Sequence, residues 1–205
     1  MKESKTDPIR FLQIEAARLR QENREMKEEL ALLRSSIRAL GALQDIIQRM
    51  TPKSDLLSLL DDLLAAALAV VDASDGSLLL LDDETEELVF AVVRGSARNE
   101  LTGFRLPPGK GIAGWVADTR KPLVVHDVRN DTRFYPQVDE TFGFETQTLA
   151  CVPLLDGDRI LGVIEAINKV PGRNFTEEDN DLLMVLAQLA SAAITRAESF
   201  AEQRT

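Results

Sequence analysis

The sequence predicts an α+β fold, in which an antiparallel sheet is flanked by helices and preceded by a long coiled-coil helix. Three observations support this prediction. A seven-residue apolar repeat runs through the first fifty residues, two β-hairpin patterns follow, and apolar helical patterns flank the hairpins. We expect a parallel coiled-coil dimerisation helix at 1–35, a domain with its flanking helices at 36–200, and a tail at 201–205.

The composition limits the classes of function. The chain has 205 residues, 44% of them hydrophobic, which is enough for one packed domain and an accessory element. Its net charge of −10 argues against a nucleic-acid surface, because neutralising phosphates requires clustered lysine and arginine. The longest apolar run, Leu63–Val71, has nine residues, whereas a membrane span needs about 20. With one cysteine and no apolar signal segment, we expect a cytoplasmic protein without disulfides, membrane contact or nucleic-acid partner.

The first fifty residues are predicted to form a dimer. From Ile9 to Ile47, apolar side chains recur on average about every 3.5 residues, which is the spacing of a coiled-coil seam. The central seam positions are Leu12, Leu19, Asn23, Met26, Leu30 and Leu33. A polar residue such as Asn23 at this position fixes the register of parallel dimers. We therefore expect a homodimer through residues 8–50.

Flanking charges indicate the orientation of that dimer. In a parallel pair, Glu15 would face Arg20 of the second copy, and Glu22 would face Lys27. Each exposed pair contributes only about 0–1 kcal/mol, so the pairs select a register more than they stabilise it. The alternative, an amphipathic helix folded back on its own domain, explains the apolar stripe but not these charge pairs.

A helix and a hairpin are predicted next along the chain. Ser54 is a suitable N-cap for a helix at Asp55–Val71, whose leucines lie on one side. Asp75-Gly76 indicates a break, and the hairpin strands are expected at Ser77–Leu81 and Leu88–Arg94.

A glycine-rich stretch, Thr102–Val128, follows the first hairpin. Gly109, Gly111 and Gly114 spell G-x-G-x-x-G, but two prolines precede them where a dinucleotide fingerprint needs a buried strand. A P-loop is excluded as well, because Gly111 stands where a serine or threonine must hold magnesium. We expect a turn into a short apolar helix that closes one wall of a pocket.

The second hairpin is expected at Thr148–Leu155 and Ile160–Lys169, which flank a D-G-D turn signal. Pro153 lacks a backbone N–H and therefore predicts an edge or bulged position in its strand. A capping-box pattern that begins at Thr176 predicts a last helix to about Ser199.

Four segments, taken in order, resemble a GAF domain. They are DASDGSLLLLDDETEELVF at 72–90, GKGIAGWVADTRKPLVVHDV at 109–128, TLACVPL at 148–154 and ILGVIEAINKVPGRNFTEEDNDLL at 160–183. The resemblance implies a six-stranded antiparallel sheet with helices on one side and a small-molecule pocket on the other. GAF domains act as sensory or dimerising modules, and they bind cyclic nucleotides, other small molecules, haem or bilins. The resemblance is more specific for the fold than for the function.

The resemblance places the pocket beneath a helix at Gly109–Arg120 and an aromatic loop. The expected ligand-binding residues are Trp115, Arg133, Phe134, Tyr135, Phe144, Thr146, Thr148 and Glu165. Aromatic rings in a polar loop supply stacking surface, although loop anchoring explains them equally well. Trp115 would alternatively anchor its helix in the core. Glu165 interrupts an apolar strand, where an unpaired carboxylate is costly, and it therefore needs a partner.

Asn168, Lys169, Phe175 and Asp179 resemble the N-K-x(n)-F-x3-D-E motif of cyclic-nucleotide-binding GAF domains. In that family the lysine and the aspartate pair near the pocket and join the strand end to the next helix. Asn180 departs from the motif, which has glutamate there. The alternative is a purely structural tether, in which the aspartate also serves the helix N-terminus.

The chain contains one histidine and one cysteine, and these do not form a catalytic constellation. His126, at a strand end, is typical of a structural residue rather than a haem ligand. Cys151 is typical of a core position, and one cysteine cannot supply the resolving partner of a reductase. We expect no enzyme activity, no catalytic residues and no metal site, and the cofactor stays unknown.

The predicted function is that of a non-enzymatic, dimeric sensory protein. It would bind a small molecule or relay a conformational change to a downstream signalling protein. The alternative is a regulatory domain specific for cAMP or cGMP.

Overall fold

The structure is a computed structural model, and it describes residues 9–10, 12–24, 26, 41, 55–96, 98–170 and 173–202. The chain separates into two compact units, Met1–Ile37 and Arg38–Thr205. In the first unit, the described residues up to position 26 are helical. An exposed ion pair joins Arg18 to Glu22 one helical turn later, at 2.8 Å.

The described residues include only part of the predicted coiled-coil seam. Leu12, Leu19 and Met26 are 65%, 57% and 55% exposed in the single chain, and Asn23 is exposed as well. Leu30 and Leu33 lie outside the described residues, as does most of the predicted helix beyond position 26. The long coiled-coil helix and the homodimer therefore stay predictions.

The described part of the second unit contains five helices and six strands. They are α1 (Leu56–Val70), β1 (Ala73–Leu81), β2 (Leu88–Arg94), α2 (Arg98–Leu101), β3 (Arg105–Leu106), α3 (Gly111–Thr119), β4 (Leu123–Val125), α4 (Gln137–Phe142), β5 (Leu149–Asp156), β6 (Arg159–Lys169) and α5 (Glu177–Glu202), with a 3-10 turn at Val128–Asn130. The strands form one antiparallel sheet in the order β3-β2-β1-β6-β5-β4. The predicted α+β fold is confirmed. Among the described helices, none combines the length and the apolarity needed to cross a membrane.

Both faces of the sheet are covered, because successive side chains of a strand point to opposite faces. Leu78 and Ile164 belong to the core that α1 and α5 form on the first face. Leu79 and Val163, their neighbours in sequence, belong to the core beneath α3 on the second face. The second face also holds the candidate site.

The leucines of α1 determine which side of the helix is buried. Leu60 and Leu63 are fully buried against the sheet and α5, as the helical spacing predicts. The N-cap is Asp55, whose side chain accepts a hydrogen bond from the backbone N of Leu57 at 3.3 Å. The prediction of Ser54 as N-cap was wrong, and that residue lies outside the described part of the chain. Carboxylates and hydroxyls cap helices about equally well, so two adjacent candidates cannot be ranked from sequence.

The predicted break at Asp75-Gly76 was wrong, because β1 begins earlier, at Ala73. A Cβ atom at position 76 would lie 2.5 Å from the backbone oxygen of Glu165 and 2.5 Å from Cδ2 of Leu68. The glycine therefore permits the close approach of β6 and α1 to β1 rather than a turn.

The second hairpin is confirmed, with a two-residue turn at Gly157-Asp158. Pro153 pairs with Val163 of β6 on one side. On the other side, β4 pairs only with the segment from Leu149 to Cys151, so the proline lies beyond the end of β4. On that side no backbone hydrogen bond between strands is lost through the missing N–H of the proline, which fits the predicted edge position.

The glycine-rich stretch forms a turn into a helix, and α3 is slightly shorter at both ends than predicted. The helix ends at Thr119, and its C-cap residue, Arg120, has the left-handed φ of 57°. A Cβ atom at Gly114 would lie 2.6 Å from the carbonyl carbon of Gly109. The glycine spacing thus lets α3 pack onto the turn that precedes it.

Candidate ligand-binding site

A cavity lies between the second face of the sheet and a cover formed by α3, α4 and the loops beside them. The space among its lining residues, taken together with the volume that opens to solvent at its mouth, is about 730 Å³. The position agrees with the pocket that the family resemblance implies, beneath a short helix and an aromatic loop.

Aromatic side chains form much of the cavity wall. The rings that line it are those of Phe90, Phe134, Tyr135, Phe142 and Phe144. Phe142 is held edge-on against Phe104, with ring centroids 5.2 Å apart, and Phe104 contacts Phe90 at 6.1 Å. This chain of rings joins α4 to β2, so the cover and the sheet share one apolar cluster.

Glu165 of β6 is the buried acid of the cavity, with 7% of its surface exposed. It lies opposite Ser77 of β1 in the sheet register, and the serine Oγ donates to its Oε2 at 2.7 Å. Among the described residues, no hydrogen bond is made to the other oxygen, Oε1. Burial raises the pKa of Glu165 to about 7; the serine hydrogen bond opposes this rise, and the negative charge of Asp139 adds to it.

Two further carboxylates line the cavity. Asp139 of α4 accepts hydrogen bonds from the backbone N of Thr146 at 2.7 Å and from its Oγ1 at 2.8 Å. Asp75 of β1 accepts from Ser74 Oγ at 2.5 Å and from the backbone N of Ser96 at 3.1 Å. These bonds fix the orientation of both carboxylates, so the cavity presents three acidic side chains with Glu165.

Arg94 is the single basic residue among the described residues that line the cavity. Its guanidinium is bound to Asp61 of α1, with Nε at 2.9 Å from Oδ1 and Nη2 at 2.7 Å from Oδ2. This bidentate arrangement neutralises the cation outside the cavity wall. The charged side chains of the lining are therefore mostly acidic.

The structure brings five of the eight predicted ligand-binding residues to the cavity wall. These are Phe134, Tyr135, Phe144, Thr146 and Glu165. Each of them comes from β6 or from the segment between β4 and β5. Their role in binding stays a prediction.

The other three predicted residues are not part of the lining. The guanidinium of Arg133 stacks over the ring of Trp115 at 4.8 Å and pairs with Asp131 at 2.6 Å. Thr148 accepts a hydrogen bond from the backbone N of Lys169 at 3.3 Å, at the end of β6. Local pairing therefore accounts for the polar atoms of Arg133 and Thr148 without a ligand.

The cyclic-nucleotide-type motif lies at the junction of β6 and α5, outside the cavity lining. Lys169 Nζ pairs with Asp179 Oδ2, and the same ammonium lies 5.5 Å from the ring centroid of Phe175. Asp179 also accepts from the backbone N of Thr176 at 2.8 Å, which completes the predicted capping box. Asn168 joins the same strand end to the loop before β5, through bonds to residues 145 and 147. This geometry is that of a structural tether.

Four polar residues of the cavity were not predicted from the sequence: Asp75, Ser77, Arg94 and Asp139. The first was assigned to a break and the second only to a strand. A strand pairing that placed Ser77 opposite Glu165 would have identified the serine as the partner that the carboxylate needs. Asp139 lies in a polar loop whose short helix has no buried residue and therefore no apolar periodicity.

Neither the lone histidine nor the lone cysteine is among the described residues that line the cavity. His126 is exposed, and Cys151 is fully buried in the core of the second face. Burial raises the pKa of the Cys151 thiol well above its usual value, and the negative charge of Glu165 adds to this effect. In the part of the chain that the structure describes, no cluster of three or more His, Cys, Asp or Glu is arranged to hold a metal ion.

Comparison with known proteins gives sequence relatives. The chain is 32% identical over 170 residues to a dual 3′,5′-cyclic-AMP and -GMP phosphodiesterase 11A from Takifugu rubripes, a match that covers 78% of this chain. It is 31% identical over 140 residues to a probable 3′,5′-cyclic phosphodiesterase (pde-5) from Caenorhabditis elegans, covering 64% of this chain. The matched part is 19% of the length of each relative.

Solved structures share the fold. The GAF domain of a phosphoenolpyruvate-protein phosphotransferase (ptsP) from Coxiella burnetii superposes with a TM-score of 0.69 at 22% identity, covering 80% of this chain and 96% of that one. A free methionine-R-sulfoxide reductase from Neisseria meningitidis gives 0.66 at 19% identity, covering 81% and 93%. At these identities the likeness concerns the fold alone.

The family model of the GAF domain matches residues 55–194, which is more than half of the chain. This range contains α1, all six strands and most of α5, together with the cavity and its cover. The protein therefore belongs to the GAF domain family and contains a regulatory or sensory domain of that family.

Proposed function

We propose that the protein is a non-enzymatic sensory module that binds a small molecule in the cavity. The supporting observation is the combination of aromatic walls with the buried carboxylate of Glu165, one oxygen of which is available to a ligand. A site of this type buries an apolar body and orients it through a few polar groups.

Ligand binding on one face of the sheet can be passed to the other face through β1 and β6. These strands supply Ser77 and Glu165 to the cavity and place the next side chains, Leu78 and Ile164, against α1 and α5. A shift of the two strands on binding would therefore repack both helices, because close-packed cores transmit displacement. We propose that a homodimer formed through residues 8–50 and a downstream signalling protein receive this change.

We also propose that the protein catalyses no reaction at this site. The reactive form of a cysteine is the thiolate, and the buried Cys151, whose thiol pKa is raised, is kept in the unreactive form. His126 is exposed and is not among the residues that line the cavity, so it does not reach a substrate there.

Native mass spectrometry of the purified full chain tests this function. We expect a dimer that binds one small molecule per chain, found either as a co-purified ligand or by screening compounds.

Phe144→Ala should weaken binding about tenfold or more, because a buried aromatic ring contributes about 1.5–3 kcal/mol. The matched control is Phe200→Ala on α5, which removes a partly exposed ring that does not line the cavity. Equal affinities of the two variants would contradict binding in the cavity, and a salt-insensitive monomer would contradict the dimer.

A second candidate function is the specific binding of a cyclic nucleotide. It is favoured by the two sequence relatives, both of which are cyclic-nucleotide phosphodiesterases by name. The resemblance of Asn168, Lys169, Phe175 and Asp179 to the cyclic-nucleotide motif also supports it, although these residues lie outside the cavity lining. Titration calorimetry with cAMP and cGMP is the test. If this candidate is correct, one of the two should bind well below millimolar concentration, and the absence of heat at millimolar ligand would dispose of it.

A further inference from the structure

We infer, on the basis of the small-molecule function proposed above, that the ligand of the cavity is an organic cation. Its expected form is an apolar or aromatic body with a protonated amine or guanidinium group that hydrogen-bonds to Glu165. Charge, hydrogen bonding and the aromatic wall each support this ligand class, and one feature opposes it.

The charged groups of the lining favour a cation. Asp75, Asp139 and Glu165 are acidic, and the single basic side chain of the lining, Arg94, already binds Asp61 through two hydrogen bonds. In a partly desolvated cavity, attraction between opposite charges is stronger than in bulk water. An anionic ligand would meet these carboxylates without a free basic side chain among the described lining residues.

Glu165 supplies the hydrogen-bond acceptor. Ser77 occupies Oε2, whereas Oε1 accepts no hydrogen bond from the described residues. A buried carboxylate without a counter-charge is costly, and the raised pKa of Glu165 reflects this cost. A ligand ammonium or guanidinium group would provide both the missing donor and the missing positive charge.

The aromatic wall favours the same class of ligand. Rings of Phe90, Phe134, Tyr135, Phe142 and Phe144 surround a cavity that also contains the carboxylates. A cation over an aromatic face gains about 0.5–2 kcal/mol, more when it is desolvated. A neutral apolar ligand would gain the ring contacts but would leave Glu165 without its counter-charge.

The feature that opposes a cation is the N-terminal end of α3, where Gly111, Ile112 and Ala113 line the cavity. A helix N-terminus carries about half a positive elementary charge. This partial charge is smaller than the charge of the lining carboxyl groups. The helix N-terminus therefore favours a neutral hydrogen-bond acceptor at the end of the ligand away from Glu165, and not a ligand with a net negative charge.

Titration calorimetry with three probes of similar shape tests this inference at pH values above the pKa of Glu165. The probes are the 2-phenylethylammonium cation, neutral 2-phenylethanol and the phenylacetate anion. We expect the cation to bind at least about tenfold more tightly than the alcohol, and the anion to bind most weakly.

Three variants identify the group responsible. Glu165→Gln should bring the cation and the alcohol to nearly equal affinity. Ser77→Ala removes the hydrogen bond but leaves the carboxylate, so the preference for the cation should persist. Glu145→Gln removes an exposed carboxylate that does not line the cavity, and it controls for the change in net charge.

The outcomes separate this inference from the proposed function. If the alcohol or the anion binds as tightly as the cation, or if the cation does not bind at millimolar concentration, the organic-cation inference is overturned. A ligand found by native mass spectrometry whose binding depends on Phe144 would still support the proposed function in that case. If Glu145→Gln loses the preference for the cation just as Glu165→Gln does, the preference comes from the net charge of the protein rather than from Glu165. That result would also overturn the inference.

Discussion

Lys169→Met is expected to lower the free energy of unfolding by about 3 kcal/mol, at the lower end of the range for breaking a buried ion pair. The side chains of Lys169 and Asp179 are only 8% and 11% exposed, so the remaining carboxylate would be left buried without its counter-charge. The lower end applies because Thr176 still donates to Asp179 through its backbone N at 2.8 Å and its Oγ1 at 3.3 Å. Chemical denaturation monitored by circular dichroism measures the loss.

Two further variants distinguish a buried tether from a solvated pair. Arg129→Met breaks an ion pair whose side chains are 67% and 60% exposed, and it should cost less than about 1 kcal/mol. Adding Asp179→Asn to Lys169→Met should recover most of the loss, because the asparagine oxygen can still cap α5 and no buried charge remains. A Lys169→Met loss no larger than that of Arg129→Met would show that the pair does not hold β6 to α5.

In the ligand-free protein, Glu165→Gln is expected to abolish a pH dependence of stability of about 3 kcal/mol. The pKa of Glu165 is raised from 4.5 to about 7 in the folded state. Below about 4.5 the carboxyl is protonated in both the folded and the unfolded state. As the pH rises through this window, the unfolded state loses its proton first, so the folded protein becomes progressively less stable up to about pH 7.

The measurement is the free energy of unfolding of wild type and Glu165→Gln at several pH values from acid to slightly alkaline. The difference between the two proteins should grow with pH, with the variant more stable relative to wild type at alkaline pH. Subtracting the two curves removes the contributions of other titrating groups. Among the described residues, the groups that interact with Glu165 are Ser77, Asp139 and Cys151, and Asp75, Arg94 and Tyr135 line the same cavity. A difference that does not change with pH would contradict the raised pKa.

These two predictions concern two buried charged side chains of the same strand, one of which is paired within the chain and one of which is only partly paired. Lys169, at the end of β6, pairs with Asp179, whereas Glu165, earlier in the same strand, lines the cavity with one carboxylate oxygen that accepts no hydrogen bond from the described residues. A paired buried charge is a structural contact, and an incompletely paired one is a typical feature of a functional site. The motif that most suggested cyclic-nucleotide binding thus has the geometry of a structural element.

The hairpins, the flanking helices and the order of the segments followed from the sequence alone. Alternating apolar residues and turn signals are local properties, and they located Leu88–Arg94 without error and β5 and β6 to within one residue. The aromatic rings of the cavity cover were predicted for a similar reason, because Phe134, Tyr135 and Phe144 are conspicuous in a polar loop. Glu165 was predicted because an acid in an apolar strand needs a partner.

The tertiary structure decided which residues meet. Gly76 has the sequence signature of a turn, yet it lies inside β1, because β6 and α1 approach too closely for any side chain there. Ser77 and Glu165 are far apart in the chain, and only strand register places them opposite each other. Arg133 has the charge expected of an anion contact, but it is bound to Asp131 and stacked on Trp115. Local periodicity therefore determined the elements of this protein, whereas pairing between distant segments determined the contents and the charge of its cavity.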